Sequence, residues 1–97
     1  MIPTLASITE SVLEDAAQRT GIGREGLKIE NAAAVTWADG SLGCPKPGMN
    51  YTMALVPGYR IKVRAGGQLL DYHSSRHGHS VLCPAGMAVE PTADDSL

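Results

Sequence analysis

The run YRIKVRAGGQLLDYH, residues 59–73, constrains the fold more than any other stretch of the chain. Gly66-Gly67 suits a two-residue hairpin turn, because glycine enters the left-handed conformations such turns require. Fixing that turn fixes the cross-strand pairs. On one face Ala65 meets Gln68, Val63 meets Leu70 and Ile61 meets Tyr72. On the other, Lys62 meets Asp71 and Arg60 meets His73. Apolar partners meet apolar ones and opposite charges meet, so the register is self-consistent.

The flanking segments say what this hairpin joins. Ser7 and Glu10 have the spacing of a capping box. Beyond it Ile8, Val12, Leu13, Ala16 and Ala17 share one face, Glu14, Asp15, Gln18 and Arg19 take the other, and Gly21 supplies a stop. The spacing predicts a helix over residues 8–20. After GIGREG the period changes to two: Leu27, Ile29, Ala33, Val35 and Trp37 alternate with Lys28, Glu30, Ala34 and Thr36. Asn31 interrupts that row and marks a bulge or bend. YTMALV reads as the next strand, interrupted at Pro57-Gly58, and SVLCP as a short last one. The order predicts an α+β fold, with one N-terminal helix packed across a four-stranded antiparallel meander. Its core is expected to set Trp37, Val35, Ile61, Val63, Leu70 and Tyr72 against Ile8, Val12 and Ala16.

With 97 residues the chain is one domain. Its core is expected over about residues 7–84, and residues 85–97 read as a flexible acidic tail. A net charge of −2 lacks the basic footprint of a nucleic-acid binder, and no apolar run approaches the ~20 residues of a bilayer span. Phe is absent, so aliphatic side chains fill a thin core that a covalent or metal staple would help. MIPTLASITE lacks the basic and long apolar regions of a signal peptide. Two compartments stay open: a cytosolic chain, or a mature periplasmic or secreted domain carrying an added initiator Met.

Within VTWADGSLGCPKPGMNYT, followed by PGYRI, YH and LC, the chain resembles a group of small, often exported bacterial proteins of no assigned activity. They share a W-x-D-G-S-L-G-C-P-x-P-G pattern, which falls here on residues 37–48 of a resemblance spanning 35–83. The helix-then-meander order is also similar, in topology alone, to cystatin-like and PepSY-like domains, some of which bind or inhibit peptidases.

Cys44 and Cys83 are the only cysteines. In an exported protein such a pair is usually a disulfide. Closing a loop of ~40 residues contributes roughly 4 kcal/mol by the chain-entropy estimate. The alternative is two free thiols in a cytosolic protein. His73, His77 and His79 form H-x3-H-x-H, a cluster that zinc or another transition metal would accept, with or without the cysteines. A Cys44–His73 nucleophile pair oriented by Asp39 or Asp71 needs a free, activated thiol. Nothing marks an oxyanion site, and a non-enzymatic protein is the expectation. Arg60, Lys62 and Arg64 read as the solvated face of a strand, with a weak anionic-partner site as the alternative. Asn50-Tyr51-Thr52 matches a glycosylation sequon to which no role is assigned.

The loop DGSLGCPKPG, residues 39–48, is left as the candidate interaction element. Pro45 and Pro47 restrict it, Gly40, Gly43 and Gly48 permit its turns, and Cys44 anchors it if oxidised. Asp39 opens it, and Leu42 and Lys46 are the side chains it would present to a protein or peptide partner. A rigid exposed loop loses little entropy on binding, as inhibitor loops do. The alternative is an Ω-loop that caps the core beside Trp37.

Overall fold

The computed structural model describes residues 4–96. Its elements are α1 (Leu5–Thr20), a 3-10 turn (Arg24–Gly26), β1 (Leu27–Trp37), β2 (Val56–Ala65), β3 (Gln68–Ser75), β4 (Ser80–Cys83) and β5 (Ala93–Ser96). The strands form one antiparallel sheet in the order β4-β3-β2-β1-β5. The fold is therefore α+β, with a fifth short strand added to the expected four.

Helix α1 starts one turn earlier than its sequence predicts. Thr4 is the N-cap: its hydroxyl accepts from the Ser7 amide at 3.1 Å, and the Ser7 hydroxyl accepts from the Thr4 amide at 3.0 Å. Glu10, expected in the capping box, instead reaches Arg24 at 3.1 Å. Gly21, at φ 74°, ends the helix as expected.

Every hairpin pair expected across β2 and β3 is present. The preceding stretch differs. Residues 51–55 are not strand, and β2 begins at Val56 and runs unbroken through Pro57-Gly58. Here the Thr52 carbonyl accepts from the Gly40 amide at 2.9 Å, which commits this stretch to closing a loop rather than extending a ladder.

A bulge in β1 decides where the cores lie. Ile29 pairs with Val63, but Asn31 pairs with the adjacent Lys62, so one extra residue reverses the alternation. Before the bulge, Leu27 and Ile29 face α1, and Ala32 rejoins them after it. They flank a core of Ile8, Val12, Leu13 and Ala16 against Ile61, Val63 and Tyr72, with Leu70 partly buried at its edge. Ala33, Val35 and Trp37 fall on the opposite face, in a second core with Leu42 and Val56. Val35 and Trp37, expected against the helix, are thus covered by the β1–β2 loop instead.

The segment read as a tail returns to this second face. Val89 donates to the Gly43 carbonyl at 2.8 Å, the Thr92 amide and hydroxyl donate to the Thr36 carbonyl at 2.9 and 3.0 Å, and β5 pairs with Ala33 to Thr36. Its last residue, Leu97, lies outside the described residues.

Trp37 spans three strands. Its Nε1 donates to the Ser74 carbonyl of β3 at 2.9 Å, and the indole passes Gly58 of β2 on the way. A Cβ at Gly58 would overlap the Ser74 oxygen and sit 2.9 Å from the indole nitrogen. Gly58→Ala should therefore cost about 3 kcal/mol, the upper range for overpacking a filled core. Gly67→Ala, which meets nothing within 4 Å, should change stability by less than about 1 kcal/mol. Urea unfolding of the two variants checks the contrast, and equal effects would mean the indole does not lie across Gly58.

Candidate functional site

The β1–β2 loop, residues 38–55, is assembled from its start. The Asp39 carboxylate accepts from the Ser41 amide at 2.9 Å and the Ser41 hydroxyl at 2.6 Å. The hydroxyl bond, then the amide bond, hold the Asp39 carboxyl below its ordinary pKa. Two overlapping turns follow, Leu42 donating to the Asp39 carbonyl at 3.3 Å and Cys44 to that of Ser41 at 3.0 Å. They drive Leu42 to φ 57°, a left-handed conformation that costs roughly 1–2 kcal/mol outside glycine.

Two interactions hold Leu42 there. Its side chain, 5% exposed, packs in the Trp37 core, and its carbonyl lies 2.7 Å from His73 Nδ1. Gly43 then passes so close to the indole that a Cβ would lie 2.6 Å from Trp37 Cε3. Cys44 and Cys83 stand at disulfide distance, their Cα atoms 5.7 Å apart, which ties the loop to β4. Beyond the bridge, Met49 donates to the Lys46 carbonyl at 3.2 Å around Pro47-Gly48, and Lys46 donates to the Tyr51 hydroxyl at 3.0 Å.

The expected interaction residues therefore separate. Asp39, Leu42 and Cys44 build the loop from inside, whereas Lys46 and Pro47 are exposed and Pro45 is half-buried. Leu42, read as a presented side chain, is a core plug: a left-handed backbone turns it inward over Trp37. The residues that sequence reasoning missed are Met49, Met53 and Leu55, 59%, 91% and 65% exposed. Tyr51, Met53 and Leu55 alternate with Thr52 and Ala54, a strand-like signal that concealed them.

Beneath the loop lies a polar network. The His73 ring is fully buried and stacks on Trp37, centroids 4.5 Å apart at 18°. Its Nε2 lies 3.1 Å from Asp71 Oδ2, although the angle is poor for a hydrogen bond. Asp71 accepts two bonds from Arg60, at 3.0 and 2.8 Å, and Arg60 Nη1 donates to both Glu90 oxygens at 2.8 Å. Arg60, read as solvated, is buried, because the loop and the returning segment cover its face of β2. Its partner Asp71 sits diagonally across the ladder, leaving Lys62 opposite it without that bond. Arg64 pairs at the surface with Glu30 at 3.1 Å. Burial raises the Asp71 pKa, but the adjacent His73 ring and the Arg60 hydrogen bonds outweigh it and hold the carboxyl well below the ordinary range.

The other candidates are dispersed. His77 and His79 are exposed in the β3–β4 turn, while His73 lies under Trp37. Among the described residues no three His, Cys, Asp or Glu side chains are grouped to hold a metal ion. With Cys44 joined to Cys83, the Cys44–His73 pair has no thiol. Asn50 of the sequon is exposed. A cleft of about 750 Å³ opens between the loop and β4, its walls including Pro45, Lys46, Met49, Tyr51, Val81 and Met87. No helix among the described residues is long and apolar enough to cross a membrane.

The chain belongs to the family described as Domain of unknown function (DUF8738), whose model matches residues 9–83. That span takes in the loop and both cysteines, whereas Glu90 and β5 lie beyond it. No curated protein and no solved structure matches the chain.

The Asp71 carboxyl gives the site a pH signature. Its folded pKa lies below the unfolded value of about 3.9, so in that interval the unfolded chain binds the extra proton. The stabilisation is present above about pH 4 and is lost as pH falls toward the folded value. Asp71→Asn should be less stable than the parent at pH 7, with the difference shrinking by pH 3. Urea titrations at the two pH values check this, and a difference that does not shrink would remove the ionised carboxylate from the explanation.

Proposed function

We propose that this family member is a non-enzymatic, extracytoplasmic binding module that presents its cross-linked β1–β2 loop to a protein or peptide partner. One observation carries the reading. The loop is held by Leu42, His73 and the Cys44–Cys83 bridge, while further along it Met49, Met53 and Leu55 are exposed. A loop already ordered loses little conformational entropy on association, so its contacts convert efficiently into affinity. Apolar side chains exposed along one ordered loop are available to a partner, and the unbranched thioether of Met adapts to a partner's shape.

The cysteine pair supports the compartment, since disulfides persist in the periplasm or outside the cell. Peptidases are one partner class suited to such a loop, because a rigid loop that resists rearrangement is how peptidase inhibitors hold their targets.

Selection of displayed random heptapeptides on the immobilised, oxidised protein tests the reading. Enriched peptides should bind about tenfold more weakly to Met49→Ala and Met53→Ala, as for loss of one interface anchor. Leu69→Ala, at the far end of the β2–β3 hairpin, should bind normally. All three variants should melt within about two degrees of the parent, because truncations at exposed positions cost little. Failure to enrich any peptide, or equal weakening by Leu69→Ala, would reject the loop as the recognition surface.

A further inference from the structure

Strand β4 ends the sheet: β3 bonds it on one side, and among the described residues no strand lies on the other. Which of its backbone groups are free follows from the ladder. Ser75 donates to the His79 carbonyl at 2.9 Å, and bonded pairs alternate along an antiparallel ladder. With the register unbroken to Cys83, His73–Val81 and Asp71–Cys83 are the bonded pairs. Ser80 and Leu82 therefore turn their N–H and C=O groups outward. Proteins usually blunt such an edge with a charge, a proline or a bulge. SVLC contains none of these.

The cleft runs along this same edge. Its lining takes in Ser80, Val81 and Leu82 of β4, Lys46 and Met49 of the loop, and Arg19 of α1. Because α1 and the loop lie on opposite faces of the sheet, a strand laid against β4 would have one of them beside each face. The chemistry of the walls is one-sided. Lys46, His79 and Arg19 line the cleft and no Asp or Glu does, although the chain as a whole carries −2. Arg19 is already paired with Asp15 at 3.1 Å, whereas Lys46 has no ion pair among the described residues.

We propose that β4 accepts an added strand: an extended peptide of a partner protein, alternating apolar and acidic residues, docks in this cleft. Its backbone bonds Ser80 and Leu82, its carboxylates face the loop side toward Lys46, and its apolar side chains face the helix side against Leu82 and the aliphatic stem of Arg19. The four residues of β4 offer an edge of about 13 Å at ~3.3 Å per residue. Main-chain bonds supply affinity in such strand addition, and the flanking side chains supply selectivity. The proposal rests on the binding-module reading and names the chemistry of its partner.

Amide NMR of the oxidised protein with three capped hexapeptides tests it: alternating Val and Glu, alternating Val and Lys, and the Val-Glu peptide N-methylated at alternate residues. The Val-Glu peptide should shift the Ser80 and Leu82 amides and slow their hydrogen exchange. The N-methylated peptide that blocks the facing edge should lose this binding, and the Val-Lys peptide should bind at least about tenfold more weakly, as expected when a charge-assisted contact becomes repulsive. Lys46→Glu should reverse the preference between the two charged peptides. Binding of Val-Glu without protection at Ser80 and Leu82, or indifference to N-methylation, would overturn strand addition while leaving the loop as a binding surface. Slowed exchange at those amides without peptide, rising with protein concentration, would make a second copy the occupant and reject the peptide. If no charged hexapeptide binds but selected peptides still do, the acidic chemistry is wrong. If neither kind binds, the module reading falls with it.

Discussion

The stack of Trp37 on His73 is the contact on which the lower half of this protein depends. It joins the first and third strands across a position where only a hydrogen side chain fits. The indole nitrogen is satisfied by the Ser74 carbonyl, so a large polar-tipped ring is buried without an orphaned donor. His73 in turn faces the Leu42 carbonyl, which fixes the backbone of the loop above. Remove the stack and Leu42 has neither a surface to plug nor a partner for its strained backbone. Loop shape is therefore a property of the sheet beneath it.

The β2–β3 hairpin was fully legible in the sequence, because its turn and alternating faces specify one register. The helix was legible apart from its start, where Thr4 and Ser7 form the box assigned to Ser7 and Glu10. The second core was not legible. Reading Leu27 to Trp37 as one alternating row places Trp37 under the helix, and only the extra residue near Asn31 corrects it. Asn31 was visible as an interruption, but an interruption does not say whether the chain bends or slips by one residue. The sign of every later side chain in that strand depends on which occurs.

The candidate site was legible in the same uneven way. The two cysteines, read as a pair, stand at disulfide distance, and the Pro- and Gly-rich loop they anchor is ordered over the second core. Within it, Leu42 points inward because its backbone is left-handed, a conformation that neither leucine propensity nor local pattern suggests. Arg60 looked like one of three equivalent surface cations. Its burial comes from the loop and the returning segment that carries Glu90, thirty positions further along the chain, and long-range packing of that kind leaves no periodic trace. Between Tyr51 and Leu55 the alternation is real but has no neighbouring strand to use it.

The cross-link between Cys44 and Cys83 also has a topological meaning. It closes a covalent ring that contains β2, β3 and β4, together with the exposed stretch around Met49 and Met53. A peptidase that cuts within this ring opens it without dividing the molecule, since the two new ends remain tethered through sulfur. Most of the sheet pairing on which the fold rests is then still intramolecular. A segment placed inside such a ring can be nicked and still be retained, and the two pieces separate only where the surroundings are reducing.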